Sequence, residues 1–239
     1  GIGFINDAGQ FEYVKFPGFD FRDVYMSNLF QRSDGTWVVS TYRTGIYFLF
    51  PNGKVERLEL FDSTKGIQAF DMYQENDQTL WVASGKGLVR IRGNKKQSIG
   101  AEAGLAELSL FKILPDREGN WWLPSNIGII RVKKAELDAY LDNPAAAKIN
   151  WRVFDEGDGM YNRQCVGARH SIVASDGRIM VLSIGGLVEI DPKKITRNNI
   201  PPQLSIRQLL VDDQVYPLGI GHKIPPGNHR YIFDYSVLS

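Results

Sequence analysis

Short apolar runs separated by polar turns make up most of the chain. Residues 87–91 alternate in the way expected of a half-buried strand, and residues 36–40 and 80–84 are rich in Trp and Val. Pairs such as Asp34-Gly35 and Asp176-Gly177 stand directly before such runs. Because Asp-Gly pairs favour tight hairpin turns, the pattern predicts consecutive antiparallel hairpins in an all-β protein.

A repeat runs through these strands. It consists of a large residue, usually Trp, a Ser three positions later, and then a Gly followed by an apolar residue. We interpret the Trp and Ser positions as packing and hydrogen-bonding positions between neighbouring units. The copies are Trp37, Ser40 and Gly45-Ile46; Trp81, Ser84 and Gly87-Leu88; Trp122, Ser125 and Gly128-Ile129; and Met180, Ser183 and Gly186-Leu187.

The spacing of the glycines indicates the architecture. From Gly3 onward they follow one another at 42, 42, 41 and 58 residues. Strand-type repeats of about 40–45 residues are typical of β-propeller blades with four strands each. In the best-defined blade we expect strands at 111–114, 120–124, 128–132 and 151–154. The long last interval holds an insertion, residues 133–150, whose first part predicts a short helix that ends at Asn143-Pro144.

The repeat ends after Asp191-Pro192, and the proline-rich break at 200–202 precedes a different strand pattern. We therefore predict propeller blades in residues 1–199 and the start of an immunoglobulin-like β-sandwich in residues 200–239. About three strands are readable in the second part, fewer than a sandwich requires. We expect a piece truncated at both ends, with blades forming an open arc rather than a closed ring.

The composition excludes several classes of partner. Lys and Arg number 28 and Asp and Glu 27, so the net charge of +1 provides no field for nucleic acid or an anionic membrane. Cys165 is the single cysteine, which rules out an internal disulfide. No run approaches the ~18 apolar residues of a membrane-spanning helix.

The residues that could carry chemistry are sparse. The three histidines, His170, His222 and His229, have no metal-site spacing, and we expect no metal and no cofactor. The acidic run 155–159 lacks the spaced ligands of a calcium loop, so a solvated turn is the favoured interpretation. Cys165 has no base beside it, and we interpret it as an inert thiol. No catalytic residue is predicted for this segment.

One surface remains a candidate for ligand binding. In a propeller, the turns between second and third strands open on the same face as the connections between blades. Polar and aromatic loop residues at the mouth of a rigid ring are where such folds bind partners. The candidate ligand-binding residues are Tyr42, Arg43, Lys86, Asn126, Asn162, Arg163 and His170.

Several motifs resemble the blade repeat of the two-component regulator propeller sensors. The C-terminal stretch is similar to the start of the triple-tyrosine (Y_Y_Y) immunoglobulin-like domain that follows those propellers. Together the two resemblances cover nearly the whole chain. The motifs are Asp158-Gly159-Met160 with Asn162, Asp176-Gly177-Arg178, Gly186-Leu187, Asp191-Pro192, Val211-Asp212-Asp213, the run 225–230, and Phe233-Asp234-Tyr235-Ser236.

The resemblance implies a setting as well as a fold. It implies a periplasmic sensor segment of a bacterial receptor, which binds a small-molecule or saccharide ligand and signals to a cytoplasmic histidine kinase or diguanylate cyclase. It further implies a homodimer formed through the stalk, anchored in the membrane only by segments outside this chain. Two alternatives stay open. A propeller lyase or hydrolase would need acid–base residues at the central funnel, and an interaction scaffold would show a contiguous apolar patch.

Overall fold

The computed structural model describes residues 2–15, 25–42, 44–61, 68–167, 171–195, 203–216, 221, 223–224 and 226–238. The chain divides into two compact units, Gly1–Pro192 and Lys193–Ser239. The predicted domain boundary lies within residues 196–202, outside the described residues, and remains a prediction.

The first unit is a series of antiparallel sheets that follow one another along the chain, as the repeat predicts. Each sheet is built in chain order, so its first strand is the inner strand of a propeller blade and its last strand the outer one. An N-terminal pair consists of β1 (Gly3–Ile5) and β2 (Phe11–Tyr13). Blade A contains β3 (Met26–Gln31), β4 (Trp37–Thr41), β5 (Ile46–Leu49) and β6 (Val55–Leu58). Blade B contains β7 (Ala69–Asn76), β8 (Thr79–Ser84), β9 (Gly87–Arg92) and β10 (Lys95–Ile99).

Blade C contains β11 (Leu114–Pro115), β12 (Asn120–Ser125), β13 (Gly128–Lys133) and β14 (Arg152–Phe154), and blade D contains β15 (Ile172–Val173), β16 (Ile179–Ser183) and β17 (Gly186–Ile190). The predicted inner strand at 111–114 is shorter than expected. Leu110 forms a bridge to Ser125 and the N–H of Phe111 donates to the carbonyl of Pro124, but continuous pairing with β12 begins only at Leu114. Among the described strands, β1 and β2 pair only with each other and β17 pairs only with β16.

The glycine that opens each third strand permits a close approach of the outer strand. At Gly87 the backbone φ is +95°, and a Cβ would lie 2.1 Å from the carbonyl oxygen of Ile99. Gly45 and Gly128 have the same relation to the carbonyls of Leu58 and Phe154. These positions therefore require glycine both for conformation and for space.

The prediction that Trp37 occupies the same place as Trp81 and Trp122 is wrong. Trp81 and Trp122 lie opposite the third residue after the blade glycine, whereas Trp37 lies opposite Leu49, the fourth. Val38 holds the equivalent position and is fully buried, while Trp37 is 40% exposed. Trp37 lies eight residues before Gly45, whereas Trp81 and Trp122 lie six residues before their glycines. One of the two extra residues lengthens the turn between β4 and β5, and the other moves Trp37 one place along the strand and so to its opposite face.

The equivalent of Ser84 in blade A is consequently Thr41 and not Ser40. The Thr41 hydroxyl donates to the carbonyl of Gly45 at 2.8 Å, as Ser84 does to that of Gly87. Ser40 instead forms a buried hydroxyl pair with Ser27 at 2.7 Å.

Apolar cores lie between successive blades. One cluster joins blades A and B and includes Val38, Ile46 and Leu80. The next joins blades B and C around Trp81 and Trp121, whose rings meet edge to face with centroids 4.8 Å apart. Burial of large aromatic and branched side chains on both sheet faces stabilises the series of blades.

The insertion in blade C forms helix α1 (Lys134–Asp142), close to the predicted start. Leu137 and Leu141 are buried in the cluster between blades B and C. The buried guanidinium of Arg90 binds the helix through Asp138 at 2.8 Å and Asp142 at 2.7 Å. The insertion is therefore an integral part of the interface between these two blades.

The second unit is a three-stranded antiparallel sheet in the order β19 (Gln214–Tyr216), β18 (Gln203–Val211) and β20 (Tyr231–Leu238). Asp212 and Asp213 have φ values of +50° and +66°, the conformation of a two-residue hairpin turn. The imidazole of His229 lies 2.5 Å from the carboxylate of Asp212.

Candidate functional site

The predicted ligand residues are placed at one end of the sheets but do not form a cluster. Tyr42, Lys86 and Asn126 lie in the turns between the second and third strands of blades A, B and C, and Asn162 and Arg163 in the segment before blade D. Arg43 and His170 lie outside the described residues. No hydrogen bond, ion pair or ring contact joins any two of the five described ones.

The contacts made by Lys86, Asn162 and Arg163 lie within or between loops. The Lys86 ammonium lies 5.5 Å from the centroid of the Phe61 ring, and the Asn162 side-chain oxygen accepts the backbone N–H of Gln164 at 2.9 Å. The backbone N–H of Arg163 donates to Glu156 at 2.8 Å. These contacts shape the loops and leave only Tyr42 in contact with the inner strands.

A row of three aromatic rings runs from Tyr42 in blade A to blades B and C. The Tyr42 ring contacts the ring of Phe70 edge to face, with centroids 6.3 Å apart, and Phe70 contacts Phe111 in the same way at 5.2 Å. Phe70 and Phe111 hold equivalent places, because the residue before each lies opposite the Ser that ends the second strand. All three rings are partly exposed.

A polar cluster crosses the inner strands directly beside this row. Asp71 and Lys112 follow Phe70 and Phe111 in sequence, and Asn28 is their equivalent in blade A. Oδ1 of Asp71 accepts the Asn28 amide at 2.6 Å and the Lys112 ammonium at 3.1 Å. Oδ2 accepts the backbone N–H of Ile113 at 3.0 Å. One carboxylate therefore links three successive blades.

The electrostatics of this cluster are set by burial. The Asp71 side chain is 5% exposed and that of Lys112 is 24% exposed. Burial raises the pKa of Asp71, and the Lys112 charge and the Ile113 amide oppose that rise. Three partners hold the carboxylate in one orientation, while the ammonium of Lys112 retains access to solvent. Inner strands surround the central channel of a propeller, so the Lys112 ammonium and the partly exposed aromatic rings lie together on the side of the blades that faces such a channel.

We name Asn28, Asp71, Lys112, Tyr42, Phe70 and Phe111 the inner-strand site. Of these six residues, only Tyr42 was among the ligand-binding residues predicted from the sequence. A signal was nevertheless present, since Phe70-Asp71-Met72 and Phe111-Lys112-Ile113 place a charged residue between apolar neighbours at the same phase of the repeat.

The acidic run 155–159 is a capped turn. Asp155 accepts the backbone N–H of Gly157 at 2.8 Å, and Asp158 accepts the N–H of Asp155 at 3.3 Å and pairs with Arg152 at 2.8 Å. These oxygens are thus already engaged within the turn. Across the part of the chain that the structure describes, no three His, Cys, Asp or Glu side chains are grouped as metal ligands would be.

Cys165 is buried beside blade D, where its backbone forms a bridge to Ser183. Burial raises the pKa of the thiol to about 11. The thiol therefore stays protonated and unreactive at neutral pH, because the thiolate is the nucleophile. A search of the described helices for one with the length and apolarity needed to cross a membrane finds none.

Comparison with known proteins identifies the fold. No protein-family model and no curated protein matches the chain. Among solved structures, it resembles the extracellular domain of a hybrid two-component system from B. thetaiotaomicron, with 19% identity over 82% of this chain and 26% of that one and a TM-score of 0.60. A second such extracellular domain from that organism shows 14% identity over 84% of this chain and 25% of that one, with a TM-score of 0.55.

An enzyme of similar fold is also found. Virginiamycin B lyase from Staphylococcus aureus shows 15% identity over 84% of this chain and 66% of that one, with a TM-score of 0.53. At these identities the likenesses show the fold alone. The chain is an all-β protein of propeller blades, and it spans about a quarter of the length of the two extracellular domains.

Proposed function

We propose that this chain is part of the extracytoplasmic sensing region of a bacterial signal-transduction receptor and that the inner-strand site binds its ligand. The observation that carries the proposal is the carboxylate of Asp71, which joins Asn28, Lys112 and the backbone of blade C next to the row of aromatic rings. The likeness in fold to extracellular domains of two-component systems supports the setting.

The chemistry of the site favours a neutral or anionic polar ligand with an apolar face, such as a saccharide. Aromatic rings offer flat apolar surfaces, and the partly exposed Lys112 ammonium offers hydrogen-bond donors at a fixed position. Because one residue of each of three blades takes part, a ligand that displaces Lys112 from Asp71 changes the contact between blades. We propose that this change, passed along a dimeric stalk, regulates a histidine kinase or diguanylate cyclase in the cytoplasm, with the sensing region in the periplasm.

Thermal unfolding of the chain with a panel of mono-, di- and oligosaccharides, neutral and acidic, tests binding. A ligand at one hundred times its dissociation constant stabilises a protein by about 2.7 kcal/mol, which raises the Tm of a domain of this size by about 5–10 °C. The rise should disappear in Lys112→Met and Tyr42→Ala. It should persist in Lys148→Met and Tyr161→Ala, which change exposed residues that are not part of the site.

The fate of the bound compound distinguishes a sensor from an enzyme. A saccharide that binds without being altered, as judged by mass spectrometry after prolonged incubation, supports the sensor. A panel in which nothing shifts the Tm, or shifts that survive both site variants, would contradict the inner-strand site. Cleavage or elimination of a bound compound would contradict the proposal that this segment only binds.

A further inference from the structure

A cavity of about 640 Å³ lies between blades A and B, where the outer strands of both blades meet. Its floor is apolar and includes Phe48, Leu58 and Ile91. Asn94 and charged side chains of both signs also line it, namely Arg32, Arg57, Lys96, Glu56 and Asp77. It lies at the end of the sheets where first and second strands are joined, which is opposite to the turns that hold Tyr42 and Lys86. It is therefore separate from the inner-strand site.

The same place between blades B and C is filled by helix α1. Strand register makes Phe48 equivalent to Arg90, because each lies three residues after its blade glycine. Arg90 is the residue that binds Asp138 and Asp142 of the helix.

Other wall positions correspond in the same way. Glu56 is equivalent to Gln97, whose side chain donates to the carbonyl of Leu141 at 2.6 Å; a carboxylate only accepts, so this one contact has no counterpart at Glu56. Leu58 is equivalent to Ile99, and Ile91 to Val132, and both of these equivalents pack with Leu137 and Leu141. The walls that contact the helix in one interface thus have counterparts around the cavity in the other.

The cavity is open because the chain makes a tighter turn at the corresponding point. In blade C the third strand leads into α1 before the outer strand begins, whereas in blade B the residues Gly93 and Asn94 close the same connection as a hairpin. Burial differs accordingly. Arg90 is 2% exposed beneath the helix, while Phe48 and Leu58 are only partly buried.

The charges around the cavity differ from those around α1, and the difference indicates what kind of helix would fit the cavity. Lys134, in the first turn of α1, pairs with Glu75 of blade B. Glu75 lies six residues before Trp81, and the residue six before the equivalent Val38 is Arg32. At the position of Arg90, which pairs with the carboxylates of the helix, blade A has the apolar ring of Phe48. The Arg32 guanidinium lies 5.0 Å from the centroid of that ring.

We propose that the cavity between blades A and B is a docking groove for a short amphipathic helix of a partner protein, bound in the way that α1 is bound one blade further on. The reversal of charge from Glu75 to Arg32 specifies the partner. Its first turn carries a carboxylate that faces Arg32, a position that the helix dipole also favours for an acid. The side chains one and two turns later are apolar and lie on Phe48, Leu58 and Ile91, as anchors at i and i+4 do in other helix grooves.

Two peptides test the groove by fluorescence anisotropy against the full chain. The first has the sequence of residues 133–143. The second differs by Lys134→Glu and Asp138→Leu. Both are held helical by a lactam between Glu and Lys introduced at the outward positions, Ala135→Glu and Ala139→Lys, because so short a peptide is not helical alone. The second peptide should bind at least about tenfold more tightly than the first.

Variants of the protein locate the binding. Arg32→Glu should weaken the second peptide by about tenfold and reduce its advantage over the first, whereas Lys148→Glu, which changes the net charge equally at an exposed position, should alter neither. Asn94→Cys labelled with a bulky maleimide should abolish binding without affecting the fold. The native thiol does not interfere, because Cys165 is buried and unreactive.

Equal affinity of the two peptides, or no binding of the second up to about 1 mM, would overturn the proposal. Binding that survives the label at position 94 would overturn it as well, since the peptide would then lie elsewhere. Circular dichroism of each variant shows whether the protein is folded, and the labelled variant decides the question even if Arg32→Glu does not fold.

Discussion

The carboxylate of Asp116 accepts the indole N–H of Trp122 at 2.9 Å and so joins a surface turn to the buried centre of its blade. The same carboxyl group also accepts the backbone N–H groups of Glu118 and Asn120. In blade B, Glu75 holds the indole of Trp81 at 2.7 Å across the same six-residue separation. The pair of acid and tryptophan is a recurrent structural unit of these blades.

Asp116→Ala should destabilise the protein by about 2–4 kcal/mol, because the buried indole N–H loses its partner and the turn loses its backbone caps. Chemical denaturation monitored by tryptophan fluorescence measures the change. Asp176→Ala is the matched control. Asp176 lies in the corresponding turn of blade D and caps Arg178, but it stands only four residues before Met180, which takes the place of the tryptophan and has no side-chain N–H, so its loss should cost much less.

Alanine at two equivalent glycines should have unequal effects. Gly87→Ala combines a positive φ with a Cβ 2.1 Å from the Ile99 carbonyl, so the outer strand must move, and we expect a loss of about 3 kcal/mol or more. Gly186 has φ +128° but nothing within 4 Å of the added Cβ, so Gly186→Ala should cost only conformational strain, about 1–2 kcal/mol. Equal losses of unfolding free energy would show that contact with the outer strand is unimportant.

The register shift in blade A predicts that its tryptophan is dispensable. Trp37→Ala should change the unfolding free energy by about 1 kcal/mol or less, since the ring is 40% exposed. Trp81→Ala should cost about 3–5 kcal/mol, because it leaves a large cavity between blades B and C. Urea titrations of both variants give the comparison, and a large effect at Trp37 would contradict the observed register.

The thiol of Cys165 should be protected in the folded protein. Its pKa is raised from 9.0 to about 11 by burial, so the folded state keeps its proton where the unfolded state loses it. Stability from this group is therefore complete below pH 9 and falls as the pH rises from about 9 to about 11. Iodoacetamide should label Cys165 slowly at pH 8 and rapidly in urea. Cys165→Ser should reduce the alkaline loss of stability, and fast labelling of the folded protein at pH 8 would refute the burial.

The fold was predictable because its signals are local. A positive φ and a near contact with the outer strand both require glycine, so Gly45, Gly87 and Gly128 mark the blades in the sequence. Trp37 did not mark the register of blade A, because it lies eight residues before Gly45 instead of six, and one of the two extra residues moves it to the other face of the strand while its spacing to Ser40 stays the same.

The inner-strand site was less predictable for a physical reason. The carboxylate of Asp71 meets Asn28 and Lys112 only when three blades stand side by side, over separations of 43 and 41 residues. The residues predicted from the sequence lie in loops, where solvated polar residues are common, and among the described ones only Tyr42 contacts the inner strands. The groove between blades A and B could not be predicted from the sequence, because an open cavity leaves no pattern there. It was recognised only by comparison with the position that α1 occupies between blades B and C.

The shift of Trp37 relative to Gly45 has a consequence for how such blades can be exchanged in evolution or in the laboratory. A recombinant joined from glycine to glycine, at residues 45 and 87, keeps every side chain on its own face of the sheet, because the register is counted from that residue. A recombinant joined from tryptophan to tryptophan, at residues 37 and 81, would move each following residue of that strand by one place and turn its buried face toward solvent. The shared register makes the blade glycine the position at which blades can be recombined.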